Sequence, residues 1–205
     1  MPHTIGIIAF DDVLTSEVIA PVEVFANAIE RGLLPDARVL LIGVEPQTQV
    51  RTAEGIRLAV DCTVADAPDL TVLIVPGAND VDALMQHAAL NAFIRKHADA
   101  AEYVASVCAG AFLLGSAGVL DGKQATTWFG GESSLQAQFP QINVVFDAPV
   151  VSDQRVITAN GGLVAYRAAL VLLARLTSAD AAEQVYRGLG IDRLGTWAAI
   201  VENIA

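Results

Sequence analysis

EYVASVCAGAFLLGSAGVL, residues 102–120, decides the reading of this chain. No charge interrupts it from Tyr103 to Leu120, a run just long enough to cross a bilayer. Ser106, Cys108, Gly110, Gly115, Ser116 and Gly118 make it a poor membrane span. Its first part carries Val104 and Val107, and its second part is built of Ala, Leu and Gly. That change of composition reads as a buried strand turning into a buried helix, with Cys108 at the junction.

Outward from this segment the same alternation repeats. Strand-like apolar runs lie at Thr4–Phe10, Arg38–Val44 and Thr71–Pro76, joined by Glu102–Val107 of the quoted stretch. Their nearly continuous apolar character is what strands buried on both faces of a parallel sheet require. Helix-length patterns occupy Ser16–Arg31, Val81–Ala98, Ala109–Val119 and Leu163–Leu176. The expected fold class is α/β, a doubly wound, mostly parallel sheet sandwiched by helices. Two patches, 50–61 with a Glu54-Gly55 turn and 150–158 with an Asp153-Gln154 turn, read as β-hairpins. With no repeat, linker or low-complexity segment, one domain over 1–205 is expected.

The composition narrows the function. Twelve basic against twenty-three acidic residues leave a net charge of −11, which repels nucleic acid and anionic lipid. Hydrophobic residues make up 54% of the chain and charged ones 17%, so it can build a large core and is not intrinsically disordered. No secretory signal is visible: the first basic residue is Arg31, and Asp11 and Asp12 break the only N-terminal apolar run. The expected setting is the cytoplasm, without membrane or nucleic-acid partners, and the two cysteines, Cys62 and Cys108, are expected as free thiols. The run ALVLLA at 169–174 and the apolar composition point to a homodimer. His3, His87 and His97 offer no metal-ligand spacing, so neither metal nor cofactor is expected.

Open parallel sheets bind ligands beyond the carboxyl ends of their strands. Three such points carry polar or glycine-rich sequence: Asp11–Glu17, Gly77–Asp80 and Cys108–Gly110. Cys108 sits directly after a strand and before a helix, with small residues around it, which is the layout of a nucleophile elbow. Amide donors at the helix start would favour its thiolate, although free cysteine also often serves only as packing. Cys62, beside Asp61 at a hairpin end, lacks that turn and reads as structural. Gly77 and Ala78, with Ala109, are placed to offer backbone amides to a developing oxyanion, and a plain βα turn is the alternative.

The order FDDVLTSEVIAPVEVF at 10–25, LIVPGAND at 73–80, SVCAGAFLLGSAGVLDGKQATT at 106–127 and ITANGG at 157–162 resembles the ThiJ/PfpI superfamily. That resemblance implies a flavodoxin-like, class I glutamine amidotransferase-like fold. Within the superfamily the chain is most similar to the branch of isocyanide hydratase and the sensing domains of AraC-type regulators. It further implies that the acidic residue four positions before a proline, here Glu17 before Pro21, approaches the nucleophilic Cys108. Two negative charges in a partly buried site resist joint ionisation, so Glu17 would hold a proton and donate it toward the sulfur. Without the resemblance Glu17 reads as a surface residue favourable to the helix dipole.

The departures matter as well. Ala109 follows Cys108 where peptidase-like members carry His, and no histidine lies in a motif that would bring it to the thiol, which disfavours a protease or an amidotransferase. Relative to the hydratase branch, Ala109 replaces a common Thr, Trp128 a common His and Ala168 a usual Asp, and Tyr166 and Arg167 stand at small apolar positions. Trp128, Phe129, Asn160 and Tyr166 are therefore expected to line a substrate pocket, with core or dimer packing as the alternative for Trp128 and Phe129. Arg167 either meets an anionic group or points into water. The expected function is a cysteine-dependent hydratase or hydrolase of a small electrophile, with Cys108 attacking and Glu17 moving the proton. A non-enzymatic ligand- or redox-sensing module without its own DNA-binding segment is the alternative.

Overall fold

The computed structural model describes residues 3–194. The chain opens with β1 (Thr4–Ala9), α1 (Thr15–Glu30) and β2 (Arg38–Gly43). A hairpin of β3 (Gln49–Arg51) and β4 (Arg57–Ala59) precedes β5 (Cys62–Thr63) and β6 (Val72–Val75). Next come α2 (Asp82–Met85), α3 (Ala88–Ala100), β7 (Tyr103–Val107) and α4 (Gly110–Ser116). The remainder holds β8 (Gln124–Ala125), α5 (Glu132–Gln138), β9 (Asn143–Val144), β10 (Val150–Asp153), β11 (Val156–Ala159), α6 (Val164–Leu176) and α7 (Ala179–Gly188).

Seven strands form the main sheet in the order β10-β11-β7-β6-β1-β2-β5. All neighbours run parallel except β10 with β11, so the fold is the doubly wound α/β sheet that the alternation predicts. Every residue of β1 and of β6 is buried, as strands covered on both faces must be. The chain steps outward from β1 to β2 in one direction and from β6 to β7 in the other. Right-handed crossovers therefore put α1 and α3 on opposite faces. Helices α1, α6 and α7 pack on one another, while α3 and α4 pack together and reach β6. The reversal falls between β1 and β6, and a switch point of this kind opens a crevice at the carboxyl strand ends.

One expected element divides. The helix predicted at 81–98 is two helices, because His87 takes an extended backbone and its Nδ1 accepts the Leu90 amide at 3.1 Å, capping α3 afresh. The helix predicted at 109–119 stops at Ser116, ahead of Gly118 at φ +74°. Helices α5 and α7 were not expected. No helix among the described residues is long and apolar enough to cross a membrane.

Candidate functional site

β7 ends at Val107, and Cys108 follows with φ +55° before α4 begins. A non-glycine residue in the left-handed region is strained, so its surroundings must hold it there. The Cys108 amide donates to the Ala159 carbonyl at 2.9 Å, and its own carbonyl accepts from Thr127 Oγ1 at 2.8 Å. The Asn160 side-chain amide in turn donates to the Thr127 carbonyl, so the end of β11 and the 126–127 segment clamp the cysteine between them. Gly110 is obligatory for this turn: a Cβ there would lie 2.0 Å from the Val75 carbonyl oxygen.

Glu17 comes from the first turn of α1 and is 0% exposed, not on the surface. Pro21, inside the same helix, lacks the amide that would have bonded back to the Glu17 carbonyl. Glu17 Oε2 accepts the Gly77 amide at 2.7 Å. Oε1 has no partner of full hydrogen-bond geometry, and Cys108 and the Gly162 amide are the other polar groups around the carboxyl. Gly161 packs against both groups: a Cβ on it would stand 2.7 Å from Oε1 and 3.0 Å from Sγ. Burial raises the Glu17 carboxyl above its ordinary 4.5, against the opposing pull of the Gly77 amide and Cys108.

Burial first, and the Glu17 charge second, push the Cys108 thiol up to about 12, with the Ala109 amide pulling the other way. The expectation that a helix start makes this thiol easy to ionise is thus reversed while Glu17 is ionised. Helix α4 has only seven residues, and desolvation together with a like charge outweighs one amide. Both groups being raised, the pair is built to hold one proton and one negative charge between them. Cys62 lies away from this arrangement, its thiol raised by burial and by Asp66 and Asp61.

A cleft of about 570 Å³ opens over the cysteine, lined by Ala78–Asp82, Cys108, Ala109, Phe112, Trp128 and Gln138. Trp128 stacks on Phe112, centroids 5.0 Å apart and planes at 22°. The structure therefore brings together Cys108, Glu17, Gly77, Ala78, Ala109 and Trp128. The oxyanion role expected of Gly77 needs correction, because its amide is already given to Glu17. Its lack of a side chain has another reason: a Cβ would sit 2.6 Å from the Ala109 nitrogen.

Asn160, Tyr166, Phe129 and Arg167 are not in the cleft lining. Asn160 braces Thr127, as described above. The Tyr166 hydroxyl donates to Glu23, and its ring lines a separate recess with Leu163, Leu189, Ile191 and Leu194. Phe129 is 75% exposed, and Arg167 is exposed on α6. Ala168, expected as a departure from the resembled branch, is buried in α6. Sequence reasoning missed Gly161, Thr127, Asp82 and Gln138. The Gly161-Gly162 pair that closes the ITANGG stretch was the visible signal for the first.

The fold and site define a class, α/β proteins with a cysteine at the elbow after a central parallel strand. Within it the chain belongs to the DJ-1/PfpI family, whose family model matches residues 3–174. It is 34% identical over 186 residues to the isonitrile hydratase of Pseudomonas putida, covering 90% of this chain and 77% of that protein. A crystal structure of a ThiJ/PfpI family protein from Pseudomonas syringae superposes with a TM-score of 0.83 at 26% identity, over 94% of this chain and 76% of that one. Drosophila melanogaster DJ-1beta shares the fold at a TM-score of 0.80 and 22% identity, over 92% of this chain and 98% of its own.

Proposed function

We propose that this protein is a hydratase of small electrophiles of the isocyanide type, with Cys108 as nucleophile and Glu17 as its proton partner. The observation that carries the reading is the fully buried Glu17, one carboxylate oxygen tied to Gly77 and the other facing the sulfur at the floor of a cleft. Because Oε2 accepts an amide proton, a proton on Glu17 belongs on Oε1, the oxygen next to the thiolate. The likeness to an isonitrile hydratase supports the choice of substrate class.

The chemistry balances with these two groups and water. The thiolate attacks the terminal carbon of R–N≡C, and Glu17 gives its proton to that carbon, leaving a thioimidate R–N=CH–S–Cys. Water adds across the C=N bond, hydroxyl to carbon and proton to nitrogen. The hydroxyl proton then passes to Glu17 as the C–S bond breaks, which releases the formamide R–NH–CHO and restores the pair. The Cys-His route of a protease or amidotransferase is disfavoured, because no histidine among the described residues lines the cleft.

The test is conversion of an alkyl isocyanide to its N-formamide, followed by infrared loss of the isocyanide band, with Cys108→Ser and Glu17→Gln as controls. Turnover abolished in both supports the assignment. Absence of turnover in the wild type, with ligand-induced thermal stabilisation retained, moves the chain to the sensing alternative.

A further inference from the structure

The rim of the cleft is charged with one sign. Asp80 and Asp82 line it together with Cys108, Phe112 and Trp128, and no lysine, arginine or histidine does. The turn Asn79-Asp80 is shared with a neighbouring recess of about 520 Å³ lined by Asp11, Asp12 and Glu45, again without a basic residue. Two of these carboxylates have partners: Asp11 accepts the Arg51 amide and Glu45 lies 3.0 Å from His87 Nε2. Among the described residues Asp12, Asp80 and Asp82 have no ion-pair partner. Asp80 Oδ1 accepts the Asp82 amide at 2.9 Å, which holds the rim loop in shape.

Carboxylates alone would say little, since exposed charges are screened within about a Debye length. Two independent features mark where they point. The floor holds Cys108, backed by the unpartnered Oε1 of a fully buried glutamate. The wall holds the stacked pair Trp128 and Phe112, and aromatic faces beside carboxylates are the chemistry that captures ammonium groups.

We propose that Asp80 and Asp82, with Trp128, make the site selective for electrophiles that carry a positive charge, an amine-bearing substrate rather than an acid. The proposal rests on Cys108 being the reactive nucleophile of the preceding section. It assigns a substrate charge that no sequence motif indicated, and it gives Arg167 no part in substrate binding. An anionic substrate would have to pass Asp80 and Asp82 to reach the sulfur, while a cation meets a field that favours its approach.

The experiment uses Cys62→Ser protein and three methanethiosulfonates that differ in charge: trimethylammonium-ethyl, methyl and sulfonatoethyl. In each case the Cys108 thiolate attacks the sulfenyl sulfur, a disulfide forms, and methanesulfinate leaves with the electron pair. The cation-to-anion rate ratio is divided by that of N-acetylcysteine. The expected normalised ratio is about tenfold or more at about 20 mM salt and falls severalfold at about 0.5 M. Asp80→Asn with Asp82→Asn should return it toward one, and Asn at 80 keeps the acceptor for the loop hydrogen bond. A normalised ratio near one in the starting protein, or one the double variant leaves unchanged, overturns the proposal. The neutral reagent reads the premise separately: a slow neutral rate at Cys108 counts against the nucleophile, whatever the charge ratio shows.

Discussion

Removing the charge of Glu17 should change the shape of the Cys108 titration, not merely its position. Burial and, second to it, the ionised Glu17 push the thiol from an ordinary 9.0 up to about 12, which at neutral pH means about a thousandfold less thiolate and about 4 kcal/mol against ionisation. With the proton on Glu17 that like-charge opposition disappears, and the sulfur has a donor instead. Alkylation of Cys62→Ser protein by iodoacetamide, followed from pH 4 to pH 11, separates the two arrangements. The wild type should show a first wave as the pair gives up one proton and leaves a thiolate beside protonated Glu17, then a plateau through neutrality, and a second rise toward about 12, where the fraction still holding its proton on sulfur ionises. Glu17→Gln keeps an acceptor for Gly77 and should show one wave, below 12, because no second ionisation precedes it. Glu17→Leu loses the donor and should titrate at higher pH than Gln. A wild-type profile with a single wave near 12 places the shared proton on sulfur and refutes the thiolate assignment. Superimposable profiles in all three proteins would falsify the pairing itself.

Gly161→Ala should disable the site more than the fold: its Cβ must displace Glu17 Oε1 or Cys108 Sγ, at a cost of about 1–3 kcal/mol, read as a lowered melting temperature with loss of the neutral-pH plateau. Unchanged thiol reactivity in a folded Gly161→Ala protein would argue against the close packing of the pair. His97 is 1% exposed, lies 4.2 Å from the Phe93 ring centroid and has a pKa lowered by burial and by Lys96. The unfolded chain therefore binds the proton first, and stability should fall as pH drops below about 6.5 and level off below the folded value. His97→Phe should flatten that limb in melts at pH 5 to 7.5, and an equal slope in both proteins contradicts it. Phe129 at 75% and Leu163 at 70% exposure are large apolar groups open to solvent, and light scattering at micromolar concentration should report a homodimer. A monomer would leave these groups without the proposed partner.

How much of this was legible beforehand follows the range of the forces involved. Strand β7, its turn and α4 could be read from 102–120 because burial on both sheet faces and the turn's need for small residues are local demands, written in Val104, Val107, Ala109 and Gly110. The doubly wound sheet followed from the alternation of such runs, since chirality leaves few ways to connect them. Local patterning did not reveal that His87 would cap a new helix, because an imidazole acceptor competes only when the backbone places it. Nor did it show why Gly77 is a glycine, which depends on Ala109, thirty-two residues away in sequence but in contact in the fold.

The chemistry divides the same way. By itself the sequence determined the identity of the thiol at the elbow, the glutamate before Pro21, the net charge and the alanine that follows Cys108. Only the tertiary structure decided that Glu17 is buried, that Gly77 serves the carboxylate and not an oxyanion, and that Tyr166 lines another recess. The physical reason is that ionisation, access and partnership depend on which groups share a desolvated volume. Residues far apart in sequence are brought there by packing, and no spacing along the chain records it.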